Sequence, residues 1–227
     1  MTAENPSAVG PGGGTAVREP DAFGIGVPDG WIRYDLDGDG LAPIRAEMLR
    51  QTPDRPGREL VNSTFRDARR ILAAARRHGA VYAAGITRMF EDGMLLAGVM
   101  IFRLTPPPGE TLTAQELARQ FSATGRRGRS RGRGRSPGDR RFTTVDLPGI
   151  GPVGRLTGIE EADAAHGVSY KIVVMHTIVP VPGSRQVLII TGYSPNLPVA
   201  EQLYDVFDAI TDTFSFEYAE GAGEPPA

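Results

Sequence analysis

Three carboxylates at alternate positions, Asp35, Asp37 and Asp39, with Gly40 closing the run, come nearest to metal chemistry in this chain. Acids at positions 1, 3 and 5 with glycine at 6 form the first half of a calcium-binding loop. The second half departs from that pattern. Ala46 stands where a bidentate glutamate is needed, Glu47 comes one residue late, and Pro43 falls inside the loop. A polar strand-to-helix turn fits better, with Asp and Gly supplying local hydrogen bonds and positive φ; a weak calcium site is the alternative. Gly149-Ile150-Gly151-Pro152-Val153-Gly154 spells a dinucleotide fingerprint, but that chemistry needs a helix N-terminus to receive the pyrophosphate. Arg155 to Ile159 reads as extended chain, so a glycine-rich connection between strands is expected.

Groups for acid–base and nucleophilic work are sparse. Cysteine is absent, which removes disulfides, thiolate zinc sites, iron–sulfur clusters and cysteine nucleophiles. Lys171, the single lysine, has no glycine loop before it, and no G-x-S-x-G elbow occurs. His78, His166 and His176 lie far apart, at an expected helix end, turn and strand. No cofactor and no metal is therefore expected, and the chain reads as a non-enzyme. A catalytic site could only be assembled in three dimensions from His, Asp and Arg.

Charge patterning says more. Residues 126–141 hold eight arginines and one Asp, a charge of +7 inside a chain of net charge −2. Arg126, Arg127, Arg129, Arg131, Arg133 and Arg135 alternate with Gly and Ser, and Arg140 and Arg141 follow. Such a run repels itself and offers no apolar group for burial, so it is expected to be flexible. It could bind nucleic acid or another polyanion through charge, without base stacking because no aromatic residue interrupts it. An acidic protein or an anionic membrane surface would suit it equally, and so would no partner at all, if it is a tolerated insertion. Near the C-terminus, Glu201, Asp205, Asp208 and Asp212 step by 4, 3 and 4 and draw an acidic stripe along one helix face. That stripe is a solvated face or a docking surface for something basic, this protein's own arginines included.

The elements that must carry these residues follow from periodicity. Residues 1–20 and 219–227 are poor in large apolar groups and read as disordered tails around a single domain, 21–218, with the arginine-rich insertion at 125–141. Two short alternating stretches, Phe23-Ile25-Val27 and Ile32-Tyr34-Leu36, flank a turn at Pro28-Asp29-Gly30. A short helix is expected at 42–51, a break at Pro53 to Gly57, and a long helix at 58–78. In the long helix Val61, Phe65, Ala68, Leu72 and Ala75 form the apolar stripe and Gly79 stops the chain. Strands at 80–90 and 94–105 meet at Asp92-Gly93. A capping box, Thr113 with Glu116, and a staple, Leu112 with Leu117, announce a helix at 114–123. Strands at 142–147, 152–159, 168–180 and 185–193, a helix from Pro198 to about 212, and a short edge strand at Phe214 and Phe216 complete the order. Strands joined by tight turns imply an α+β fold, a mainly antiparallel sheet with helices packed on it.

Val27-Pro28-Asp29-Gly30-Trp31 followed by Tyr34-Asp35-Leu36 forms a recognisable opening. At the other end stand a long hairpin over 168–193, Tyr193-Ser194-Pro195, and a helix closing on Phe207-Asp208-Ala209-Ile210 before Thr213-Phe214-Ser215-Phe216. Together these resemble the PsbP-like α/β/α sandwich family, and within it the small actinobacterial members. The resemblance spans about 21–217. It implies a binding or adaptor role, since the fold serves photosystem subunits, a nuclear transport factor, mycobacterial lipoproteins and secretion-effector adaptors; it implies no particular site residue. The expectation is a non-enzymatic adaptor acting through a protein partner. A cytoplasmic location is also expected, because the sequence shows no apolar run of membrane-spanning or signal-peptide length.

Overall fold

The computed structural model describes residues 17–90, 93–107, 140–163 and 169–219. Its centre is a seven-stranded, wholly antiparallel sheet built from β2 (Ile32–Arg33), β3 (Ala80–Phe90), β4 (Gly93–Leu104), β5 (Arg141–Leu147), β6 (Gly151–Asp163), β7 (Ser169–Pro180) and β8 (Val187–Ser194). The order across it is β2-β3-β4-β8-β7-β6-β5. A separate two-stranded ribbon joins β1 (Ala22–Gly24) to β9 (Ser215–Glu217). Helices α1 (Leu41–Gln51) and α2 (Arg55–Arg77) cover one face, and α3 (Ala200–Asp212) lies with the ribbon on the other. The expected antiparallel α+β architecture is therefore the one observed. Among the described residues, no helix is long and apolar enough to cross a membrane.

Each layer is held by the stripe its sequence carries. On α2, Val61, Phe65, Leu72 and Ala75 are buried against Ala83 of β3 and Met100 of β4. Burial of each large side chain contributes roughly 1.5–3 kcal/mol. The helix begins three residues before the expected 58, inside the supposed break. Pro56 is tolerated in a first turn, where its missing N–H is no loss, and Asp54 caps by accepting the Gly57 amide at 2.8 Å. Gly79, at φ +87°, ends it as expected. On α3, Leu203, Phe207 and Ile210 pack onto Val99, Ile101, Met175 and Ile190.

Two close approaches depend on glycine. One rung of the sheet runs Ile32–Gly85–Gly98–Tyr193–Val174. A Cβ on Gly98 would lie 2.5 Å from the Tyr193 ring and hydroxyl, so the missing side chain lets Tyr193 lie flat across the strand. On the opposite face a Cβ on Gly192 would come within 2.4 Å of the Phe207 ring. At the end of β8, Asn196 replaces the lost strand partner. Its amide oxygen accepts the Leu96 N–H at 2.9 Å, and its NH2 donates to the Met94 carbonyl at 2.8 Å. This turns the chain off the sheet into a 3₁₀ turn, Leu197–Val199, which occupies the expected first turn of the last helix.

The two alternating stretches near the N-terminus do not form a hairpin. The turn is present, with Trp31 N–H bonded to the Pro28 carbonyl at 3.1 Å, but β1 leaves to pair with β9 and β2 joins β3. Strand β6 runs to Asp163 rather than stopping near 159, because β7 pairs with it as far as Ser169 opposite Asp163. The capping-box helix at 114–123 lies outside the described residues.

Candidate functional site

The acidic triplet sits in the turn between β2 and α1. Asp35 Oδ1 accepts the Asp37 N–H at 3.1 Å, Gly38 takes φ +80°, and Asp37 is paired with Arg76 of α2. Among the described residues no group of three His, Asp or Glu is placed to hold a metal ion. Gly149 and Gly151, both at positive φ, form the tight connection from β5 to β6, and Gly154 lies within β6, so the fingerprint is strand and turn.

Of the arginine segment, Arg126, Arg127, Arg129, Arg131, Arg133 and Arg135 lie outside the described residues. Arg140 does not wave free: its guanidinium meets Glu160 of β6 at 2.9 Å, with both side chains largely buried. Arg141 opens β5 and is exposed. Pairing with Glu160 places Arg140 on the α1–α2 face of the sheet, opposite α3, since Glu160 shares that face with His176 and Tyr193.

By sequence spacing His176 stands alone, but strand register gives it neighbours. His176 Nδ1 lies 2.9 Å from Thr191 Oγ1 of β8, and Nε2 lies 3.7 Å from Glu160 Oε1. Burial opposes ionisation of Glu160, but the adjoining His176 imidazole and the Arg140 charge outweigh it and hold the carboxyl below its ordinary range. Alongside, burial and the nearby Tyr34 and Tyr170 hydroxyls push the Tyr193 phenol far above its usual range, so it stays protonated. Because the Glu160 carboxylate is favoured in the folded state, its contribution is complete above about pH 4.5, the ordinary Glu value. It fades as pH falls through the lowered folded value. In urea unfolding at successive pH values, the stability gap between wild type and Glu160→Gln should shrink on acidification. A gap that widens would contradict this assignment.

The acidic stripe divides in two. Glu201, Asp205 and Asp212 are exposed on α3, whereas Asp208 turns towards the sheet and pairs with Arg155 of β6. Arg155 is 6% exposed, and its Nε donates to Thr177 Oγ1 of β7 at 3.2 Å. Tyr204 adds a second tie from α3, donating to the Gly158 carbonyl at 3.1 Å. A recess of about 200 Å³ opens on the same side, lined by Glu19, Phe23, Arg103, Gln186, Leu188 and Phe216 among others. From Gln186 to Ala219 the chain carries five acids and no arginine or lysine. The layer opposite is the reverse: residues 41–78 carry nine arginines against four acids, a net +5. Helix α3 is thus acidic and the α1–α2 pair basic, although Arg155 faces α3 from the sheet and Asp35, Asp37 and Asp39 adjoin α1. The acids of α3 could be found from helical spacing, but the contrast between the two faces needed the topology.

No protein-family model matches the chain, and no curated protein matches it. Among solved structures, the crystal structure of LpqN, involved in cell envelope biogenesis of Mycobacterium tuberculosis, superposes with a TM-score of 0.42 at 14% identity. The match covers 86% of this chain and 83% of that one.

Proposed function

We propose that this protein is a non-enzymatic adaptor on a PsbP-like sandwich, acting in the cytoplasm through a protein partner that presents a basic surface to α3. The observation that carries the reading is the exposed row Glu201, Asp205 and Asp212, none of which is ion-paired among the described residues, in contrast to Asp208. Electrostatic complementarity of this kind speeds encounter and selects the partner more than it adds raw affinity. The helix is a rigid platform for it, tied to the sheet by Arg155–Asp208, by Tyr204 and by the buried Leu203, Phe207 and Ile210.

The test is affinity capture from the native host, after nuclease treatment, with wild type and a Glu201→Lys, Asp205→Lys, Asp212→Lys variant as baits. A basic protein held by wild type, weakened by salt, and bound at least about tenfold less by the variant would support the reading. Equal recovery on both baits would refute it, as would catalytic turnover that survives rigorous purification. A second reading draws on the carboxylate–imidazole–hydroxyl series Glu160, His176 and Thr191. Hydrolysis of activated esters that disappears in both His176→Gln and Thr191→Val would favour that enzyme reading over the adaptor.

A further inference from the structure

Helix α2 is amphipathic twice over. Its inner stripe is buried, while its outer surface carries two further lines with the same step. Arg66, Arg70, Ala73 and Arg77 follow one another by 4, 3 and 4, and so do Leu60, Thr64, Asp67 and Ile71. Arg66, Arg70 and Arg77 are all exposed, and over about 1.5 Å per residue they span roughly 16 Å of helix. Leu60 and Ile71 are 61% and 44% exposed, and the small residues Ser63 and Ala74 lie between the two lines. Two large aliphatic side chains on the solvent side of a helix that already buries a full apolar stripe have no part in the core.

The acids on this surface are already occupied. Glu59 meets Arg55 at 3.1 Å and Asp67 meets Arg70 at 3.6 Å, whereas Arg66 and Arg77 make no ion pair or side-chain hydrogen bond among the described residues. Other arginines of the layer are committed elsewhere, Arg76 to Asp37, Arg58 to the Leu49 carbonyl and Arg45 to Asn62. What remains outward is the line Arg66, Arg70 and Arg77, in which Arg70 alone has an acid nearby, with Arg69 exposed to one side and a broken line of aliphatics on the other.

We propose that this outer face of α2 docks on a lipid bilayer surface rich in anionic phosphodiester headgroups. Arg66, Arg70 and Arg77 would engage the phosphates while Leu60 and Ile71 enter the boundary with the acyl chains. Arginines beside aliphatics on an in-plane helix suit such a surface. Nucleic acid suits it less, because the face offers no aromatic ring for base stacking and no use for exposed Leu and Ile. The opposite charge of the far layer strengthens the assignment. An anionic surface attracts the α1–α2 layer and repels the Glu201, Asp205 and Asp212 face, so the molecule settles in one orientation with α3 pointing away. This docking is independent of the partner-binding role of α3, and the two fail separately.

The experiment is co-sedimentation of the full chain with vesicles of phosphatidylcholine alone and of phosphatidylcholine mixed with phosphatidylglycerol, with retention on heparin measured in parallel. Wild type should bind only the anionic vesicles and be released by salt. Arg66→Glu, Arg70→Glu, Arg77→Glu should lower that binding at least about tenfold with an unchanged circular dichroism spectrum. Leu60→Ser, Ile71→Ser should weaken vesicle binding severalfold and leave heparin retention unchanged. Equal binding to neutral vesicles, or wild-type binding by the triple variant, would overturn the proposal. So would heparin retention without vesicle binding, which would point to a nucleic acid or another soluble polyanion.

Discussion

Replacing Phe207 by alanine should lower the free energy of unfolding by about 3–5 kcal/mol, the usual range for a fully buried phenylalanine. Its side chain is 1% exposed, and its ring lies on the bare backbone of Gly192 at the centre of the sheet, between β4 and β7. The three atoms nearest a Cβ on Gly192 all belong to that ring, so its removal opens a cavity there. The reciprocal change, Gly192→Ala, places a methyl group 2.4 Å from Phe207 Cγ and should cost about 1–3 kcal/mol by overpacking. The two defects are opposite in sign of volume and share one site, so they should not add. In the double variant the methyl group introduced by Gly192→Ala occupies part of the space vacated by the ring, and the combined loss should fall short of the sum by about 1 kcal/mol or more. Urea denaturation of the four proteins gives the coupling directly. Strict additivity would show that the ring does not rest on Gly192.

Local code carried most of the architecture and little of the chemistry. The stripe Val61, Phe65, Leu72 and Ala75 is read correctly from spacing because the helical period is set by residues three and four apart, and Gly79 marks the stop for the same local reason. The start of α2 was hidden because proline has two meanings, breaker and first-turn residue, and only the Asp54 cap decides between them. The ribbon of β1 with β9 pairs Phe23 with Phe216, and no local pattern names a partner so distant in sequence. The cluster of Glu160, His176 and Thr191 is a matter of register across β6, β7 and β8. Shifting any strand by one residue would send its side chain to the other face. Helical spacing likewise groups Asp208 with Glu201, Asp205 and Asp212, since it reports the angle around the axis but not what the sheet presents beneath it. Arg155, 53 residues earlier, removes Asp208 from the free stripe.

That partnership leads to an asymmetric result. Asp208→Ala should destabilise the protein by about 2–3 kcal/mol, whereas Arg155→Met should cost less than about 1 kcal/mol. The difference comes from what each change leaves behind. Arg155 is buried, and its Nη2 already finds no hydrogen-bond acceptor among the described residues, so losing the Asp208 carboxylate leaves a dehydrated guanidinium supported only by Thr177. The Asp208 side chain is 50% exposed, which places its loss near the lower end for a broken buried pair. The same exposure lets Asp208 hydrate once Arg155 is gone, while the methionine side chain of Arg155→Met keeps much of the packing between β6 and α3. The double variant Arg155→Met, Asp208→Ala should therefore recover most of the stability lost in Asp208→Ala. Equal costs for the two single changes, or no recovery in the double variant, would mean that the pair is a surface contact of little weight. Because this pair and Tyr204 are the polar ties between α3 and the sheet among the described residues, Asp208→Ala should also speed amide exchange along α3 and weaken capture of a basic partner. Arg155→Met, Asp208→Ala should restore the exchange protection. It still lacks one acid of the docking helix, so any remaining deficit in capture measures what the Asp208 charge contributes beyond holding α3 in place.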